Sequence, residues 1–334
     1  MRRSSLELGA KTAQVGSSAL SRRAMVFGLP LASCARRDPP ERAPAPIAPL
    51  VTPSASEKKA ERLPAQELTW AFADTPIGRM SVVVLVPERL ASERFPVLIA
   101  MHGRGETLKG PERGARGWVD DYKLSRALTR LARPPLAERD FEGFVEQSRL
   151  AALNTALGHE PYGGLIVACP YTPDVLGREE PFSQAPLLAG FLVDTLLKKV
   201  RTDTPAMAQP EATGIDGVSL GGRGAFAVGF ARPEEFGAVA GLQAAFDPEN
   251  TNDFVARAER ALAKNPRLRL RLLTSSEDYY LPVMRGFHGA LDRKGVRHDF
   301  LVVPGPHDYA FNRGPGAIEM LVYHDRVLRG RLPV

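Results

Sequence analysis

Two cysteines among 334 residues, Cys34 and Cys169, exclude a disulfide framework and a cysteine-rich metal cage. Histidine is scarce as well, at six, and no H-x-x-x-H or H-E-x-x-H spacing occurs. No metal ligands are therefore expected, and His159, His288, His298 and His324 read as packed or solvent-facing side chains. A phosphate loop is missing too. The glycine cluster Gly221-Gly222-Arg223-Gly224 lacks the Lys-Ser/Thr that follows a nucleotide cradle, so no cofactor is expected. No internal repeat is visible. The apolar stretch ending at Cys34 runs about ten residues, short of the roughly 20 that a spanning helix needs.

Excess charge is largely confined to the front of the chain. The whole carries 44 basic and 38 acidic residues, a net of +6. Residues 1–33 hold five basic side chains (Arg2, Arg3, Lys11, Arg22, Arg23) against Glu7 alone; without them the balance is 39 to 37. The remainder is close to neutral, which argues against a nucleic-acid partner. Arg22-Arg23 ahead of a modest apolar segment resembles a twin-arginine export signal, and Leu31-Ala32-Ser33-Cys34 resembles a lipobox whose cysteine is lipidated. The implied organisation is a signal peptide over 1–33, a lipid anchor at Cys34 and a location in the bacterial cell envelope. Residues 34–66, studded with Pro39, Pro40, Pro44, Pro46, Pro49, Pro53 and Pro64, cannot bury a core and read as an extended tether. Residues 67–334 are enough for one large domain.

Within that domain apolar strand-like runs alternate with helical segments. Strands are expected near 79–87, 96–102, 164–169, 214–218, 237–243, 268–274 and 299–304, with an additional edge strand near 68–73. Helices are expected near 121–132, 186–200, 221–231, 251–264, 282–294 and 316–329. This alternation implies an α/β architecture, a mostly parallel twisted sheet with helices on both faces. Cys169 ends the run Leu165-Ile166-Val167-Ala168 and reads as a small buried hydrophobe.

The chemistry is carried by four stretches. Gly217-Val218-Ser219-Leu220-Gly221 is a G-x-S-x-G pattern between a strand and a helix of small residues. A serine on such a turn presents its hydroxyl above the sheet, and the Leu220 N–H stands ready as an oxyanion donor. Downstream, Glu277 and Asp278 follow one expected strand and His307 follows the next. A serine nucleophile needs a base and an orienting acid, and the order Ser, acid, His suits a strand-edge site. The candidate acids are Asp278, Asp247 and Glu277, and Asp308 reads as a helix cap. Upstream, Pro96–Met101 opens into His102-Gly103-Arg104-Gly105, where the Gly103 or Arg104 N–H can supply a second oxyanion donor and His102 is structural.

On IAMHGRG (99–105), GVSLGGRGAF (217–226), PEEFGAVAGLQAAF (233–246) and VPGPHDYAF (303–311), the chain resembles α/β-hydrolases of the esterase D, feruloyl-esterase and polyhydroxybutyrate-depolymerase type. The resemblance implies the α/β-hydrolase fold and an Asp a few residues past the penultimate strand, which favours Asp278 as the acid, with Asp247 and Glu277 as alternatives. It also implies serine hydrolysis of a carboxylic ester, small or glycan-linked, through an acyl-enzyme. Those families commonly show Gly-Gly-His-Asp where this chain has Gly305-Pro306-His307-Asp308, a stiffer loop. A peptidase, thioesterase or polyester depolymerase on the same fold, or a non-catalytic envelope binding protein, are the alternative readings. The loops 104–120 and 133–163, with Arg104, Arg113, Arg116, Trp118, Phe141, Phe144 and Tyr162, are expected to roof the pocket.

Overall fold

The computed structural model describes residues 66–88, 92–174 and 183–334. The expected export signal, Cys34 and the expected tether up to residue 65 lie outside the described residues.

Eight strands form one sheet: β1 (Gln66–Phe72), β2 (Met80–Val86), β3 (Val97–Met101), β4 (Ile166–Pro170), β5 (Thr213–Gly217), β6 (Ala238–Leu242), β7 (Arg269–Glu277) and β8 (Asp299–Pro306). Their order is β1-β2-β4-β3-β5-β6-β7-β8. β2 runs antiparallel to both β1 and β4, and the pairs from β4 through β8 are parallel. The strand expected near 68–73 is β1, which begins at Gln66.

Burial on both faces explains the unbroken apolar runs. Along β2, Met80, Val82, Val84 and Val86 join one core while Val83 and Leu85 join the other. β3 and β4 alternate in the same way, Ile99 and Ala168 on one side, Leu98 and Val167 on the other. Successive strand side chains point to opposite faces, so a strand covered on both sides must be apolar throughout. The first core is covered by the helical run 185–203 and the helices Leu220–Ala231, Thr251–Lys264 and Leu281–Arg293. Phe226, Phe246, Phe254 and Phe287 pack there ring against ring, with centroids of 4.4 Å for Phe246–Phe254 and 4.9 Å for Phe246–Phe287. The second core is covered by Leu124–Leu131, Gln147–His159 and Ala317–Val327. Among the described residues no helix is long and apolar enough to cross a membrane.

The two expected loops are more structured than their composition suggests. Residues 104–120 contain the short helices Arg104–Thr107 and Gly110–Gly114 and lead into a wide turn at Gly117–Asp121. Trp118 is fully buried in the second core, as is Phe141 from the other segment, and Tyr162 is buried beside them. These aromatics anchor their segments to the sheet instead of roofing a pocket. Arg116 is likewise committed, to Asp120 and Glu67 at 2.7 and 2.6 Å.

One buried charge cluster joins the sheet to the last helix. Arg271 of β7 and Arg149 reach the Glu319 carboxylate at 2.8 and 2.6 Å. Burial alone would raise the Glu319 pKa, but hydrogen bonding from Arg149 and the charge of Arg271 outweigh it and hold the carboxyl below its usual 4.5. Removing one partner of a buried pair leaves the others unpaired, so Glu319→Gln should lower the unfolding free energy by about 3–5 kcal/mol in urea titrations. Because the folded pKa is depressed, this contribution is complete above the unfolded value. It should be lost as pH falls through the lower folded value. Wild type should therefore lose more stability than the Gln variant when both are melted across that acid range.

Candidate active site

The order β4-β3-β5 marks the site. The chain leaves β3 to build the β4 side and later returns to build the β5 side, so a crevice opens at the C-terminal ends of β3 and β5. Met101, the last residue of β3, pairs with Gly217, the last of β5. Ser219 follows at φ 56°, ψ −115°, just before the helix Leu220–Ala231. Backbone hydrogen bonds hold this uncommon conformation: the Ser219 N–H donates to Leu242 O at 2.9 Å, and Ser219 O accepts from Ala245 N–H at 3.0 Å and Arg223 N–H at 3.1 Å. The flanking glycines leave no room for a side chain. A Cβ on Gly221 would stand 2.4 Å from Met101 O, and one on Gly217 would stand 2.6 Å from Gly221 C and O.

The loop after β3 is built from buried groups. His102 is 1 % exposed; its Nε2 accepts from Thr172 N–H at 2.9 Å, so Nδ1 carries the proton and donates to Gly103 O at 2.9 Å. Burial lowers its pKa to about 4, which keeps the ring neutral and structural. The Gly103 N–H donates to Tyr122 Oη at 3.3 Å and is thereby occupied. Arg104 opens the helix Arg104–Thr107 and Leu220 opens the helix after the elbow. The first N–H of a helix has no partner inside it, and neither of these is taken up by another described group.

Glu106, 1 % exposed, ties this loop to the far side of the crevice. Its carboxylate accepts from the Tyr122 hydroxyl and, at 2.7 Å, from Tyr309 Oη, with Lys109 Nζ at 3.6 Å. Burial first, then the Glu106 carboxylate, pushes both phenols up, so both remain protonated donors. Sequence reasoning missed this cluster, whose members are spread from 106 to 309 and share no local pattern.

At the ends of β7 and β8 the expected acid and base meet. Asp278 Oδ1 lies 2.8 Å from His307 Nδ1. The same oxygen accepts from Tyr280 N–H at 2.9 Å, and Oδ2 accepts from Thr274 Oγ1 at 2.5 Å. The Asp278 side chain is fully buried and His307 is 11 % exposed, so the pair is shielded on the acid side and open on the imidazole side. Tyr279 lies against the ring, centroids 4.3 Å apart. Gln243, at φ 46° and buried, fixes the preceding loop: its Nε2 donates to Pro306 O at 2.8 Å and to Ser275 Oγ at 2.6 Å. Only a non-glycine left-handed residue marks Gln243, which the sequence does not display.

The alternative acids go elsewhere. Glu277 is exposed, and Asp247 faces Arg223 at 3.6 Å. Asp308 caps the turn after His307, accepting from Phe311 N–H at 3.0 Å. The Ser219 hydroxyl makes no hydrogen bond among the described residues, to His307 or to any other group. Beside it lies a cleft of about 470 Å³ lined by Arg104, Asp174, Leu220, Arg223, Asp247, Tyr279 and Tyr280. Cys169 is buried away from the cleft, and burial pushes its thiol pKa up. His288 and His298, ten residues apart and unremarkable in spacing, are brought into contact at 2.8 Å on the helix Leu281–Arg293 and just before β8.

No family profile matches the sequence, and no curated protein is similar to it. Solved structures do match. A ferulic acid esterase superposes with a TM-score of 0.59 at 16% identity, covering 79% of this chain and 100% of its own. An S-formylglutathione hydrolase from Staphylococcus aureus gives 0.57 at 14% identity, over 79% and 100%. A fluorophosphonate-binding serine hydrolase from the same organism, with substrate bound, gives 0.58 at 14% identity, over 79% and 99%. With its eight-stranded, mostly parallel sheet covered by helices on both faces, the chain has the α/β-hydrolase fold.

Proposed function

We propose that the chain is a serine hydrolase of carboxylic esters, with Ser219 as nucleophile, His307 as general base and Asp278 as the orienting acid. The observation that carries this reading is the His307–Asp278 contact of 2.8 Å on the same sheet edge as a serine held at φ 56°. Asp278 accepts the Nδ1 proton and so leaves His307 Nε2 as the lone pair that can take the serine proton. The bond between Ser219 Oγ and His307 forms when substrate arrives, since such contacts are often loose in the free enzyme.

Attack of Ser219 Oγ on the ester carbonyl gives a tetrahedral oxyanion. The N–H groups of Leu220 and Arg104 are its donors, because the Gly103 N–H is already given to Tyr122. Collapse expels the alcohol, protonated by His307, and leaves an acyl-enzyme. Water, deprotonated by the same imidazole, then releases the acid. Tyr279 and Tyr280 give the cleft aromatic walls, and Arg104 with Asp174 and Arg223 with Asp247 give it paired charges, a lining that suits a small acyl group with a polar or aromatic end. By its sequence signals the enzyme is exported and held in the cell envelope through a lipid on Cys34.

Ser219→Ala should lower kcat on p-nitrophenyl and feruloyl esters by about 10⁶-fold. A fluorophosphonate should add one adduct to wild type and none to that variant; turnover retained in Ser219→Ala, or an adduct on a different residue, would overturn the assignment. Acid identity separates cleanly. Asp278→Asn should cost about 10⁴-fold in kcat, whereas Asp247→Asn should stay within about threefold. The reverse ranking would transfer the acid role to Asp247.

A further inference from the structure

His288, Asp292 and His298 form a cluster at the opposite edge of the sheet from Ser219. His298 stands immediately before Asp299, the first residue of β8, and His307 follows Pro306, the last. Eight strand residues, hence nine rises, separate the two histidines by about 30 Å. Each side chain in the cluster offers a ligand atom, and the three atoms lie within 4.8 Å of one another.

Proton placement shows what the cluster lacks. His298 is almost fully buried, 2 % exposed, and its Nδ1 lies 2.8 Å from Val296 O. A carbonyl accepts only, so Nδ1 holds the proton and Nε2 is a lone pair. That lone pair faces His288 Nδ1 at 2.8 Å. His288 Nε2 in turn lies 3.4 Å from Asp292 Oδ2, and the other carboxylate oxygen lies 3.9 Å from His298 Nε2. On a neutral His288 the one ring proton goes to His298, so its Nε2 lone pair faces the Asp292 carboxylate with no proton between them. Phe300 stacks on the His288 ring at 4.3 Å and 17°, which restricts its orientation. Two of the nearby cations are engaged elsewhere: Lys294 with Glu259 at 3.8 Å, and Arg297 with Pro266 O at 2.5 Å.

From this geometry we infer that His288, Asp292 and His298 bind a late first-row divalent cation of the zinc class, with water completing the shell. Two imidazoles and one carboxylate are the donor set such ions take, and a metal-bound histidine characteristically gives its other ring N–H to a carbonyl, as His298 does to Val296. Bonds of about 2.0–2.1 Å at tetrahedral angles separate ligand atoms by about 3.3 Å. The three ligand atoms, one from each side chain, lie within 4.8 Å of one another, so they have to draw together by at most about 1.5 Å. Binding requires the partly exposed His288 ring to turn one nitrogen toward the ion, and Asp292, 60 % exposed, is free to swing in. The ion would pin the C-terminal end of the helix Leu281–Arg293 to the start of β8. Its role is structural, and it does not depend on the hydrolase assignment.

The test is titration of the chelator-treated full chain with Zn²⁺ by calorimetry and with Co²⁺ by visible absorption, each alongside thermal melting. Wild type should bind one ion in a tetrahedral or five-coordinate site, and a hundredfold excess over Kd should raise Tm by about 4–5 °C. His298→Ala removes a buried ring and can unfold the chain, so His288→Ala at a partly exposed position and Asp292→Asn at an exposed one carry the decision. Each should weaken binding at least about tenfold and abolish the Tm shift, while His307→Ala binds as wild type does. Binding unchanged in His288→Ala and Asp292→Asn, binding lost in His307→Ala, or no binding by wild type would each overturn the inference.

Discussion

Everything at the site depends on how closely the end of β3 approaches the turn after β5. The Met101 carbonyl accepts from Val218 N–H at 3.1 Å, and the backbone of Gly221 passes so near it that a single methyl group would collide. This contact brings two peptide N–H groups, those of Arg104 and Leu220, to the same edge as the Ser219 side chain. A larger residue at 217 or 221 would have to push β3 and β5 apart at the centre of the sheet, where both faces are packed and no compensating movement is available. The strained serine is thus imposed by sheet geometry, with the backbone bonds to Leu242, Ala245 and Arg223 closing the remaining freedom.

Around this centre the flanking loops are held by buried polar groups. Glu106 receives a phenol from each side, Tyr122 from the segment after β3 and Tyr309 from the turn that follows His307. Gln243 does the same between β6 and β8, through Ser275 and Pro306. Both devices use a side chain with little solvent contact, in which each hydrogen bond is stronger and each orphaned group more costly than at the surface. The relative positions of the elbow, the loop after β3 and the His307 turn are consequently set by shared acceptors and not by loop stiffness alone.

The strands and helices were legible because their causes are local. Unbroken apolar runs such as Val97–Met101 and the glycine spacing about Ser219 record burial and close approach directly in consecutive residues. The meeting of Asp278 and His307 was legible because each follows a readable strand, and the preference for Asp278 over Asp247 came from the family resemblance. What escaped was non-local. The Glu106–Tyr122–Tyr309 cluster and the His288–His298 contact unite residues whose proximity depends on the register of distant strands, and Gln243 owes its role to a backbone conformation without a sequence mark. Trp118, Phe141 and Tyr162 were misread for a related reason: composition identified them as aromatic, but only packing shows that they face the sheet. Arg116 looked like an accessible cation until Asp120 and Glu67 were seen to occupy it.

The strand order has a consequence for how the molecule reaches its native state. β3 lies between β4 and β5, and the residues paired across β3 and β5, such as Met101 and Gly217, are more than a hundred positions apart in the chain. Closing so long a loop costs entropy before any contact repays it, and parallel pairings of this kind form slowly. Until β5 docks, the apolar edge of β3 is open to any other strand, including one from a neighbouring chain. The central sheet that makes the finished protein rigid therefore makes its refolding the vulnerable stage, most exposed to aggregation at high concentration.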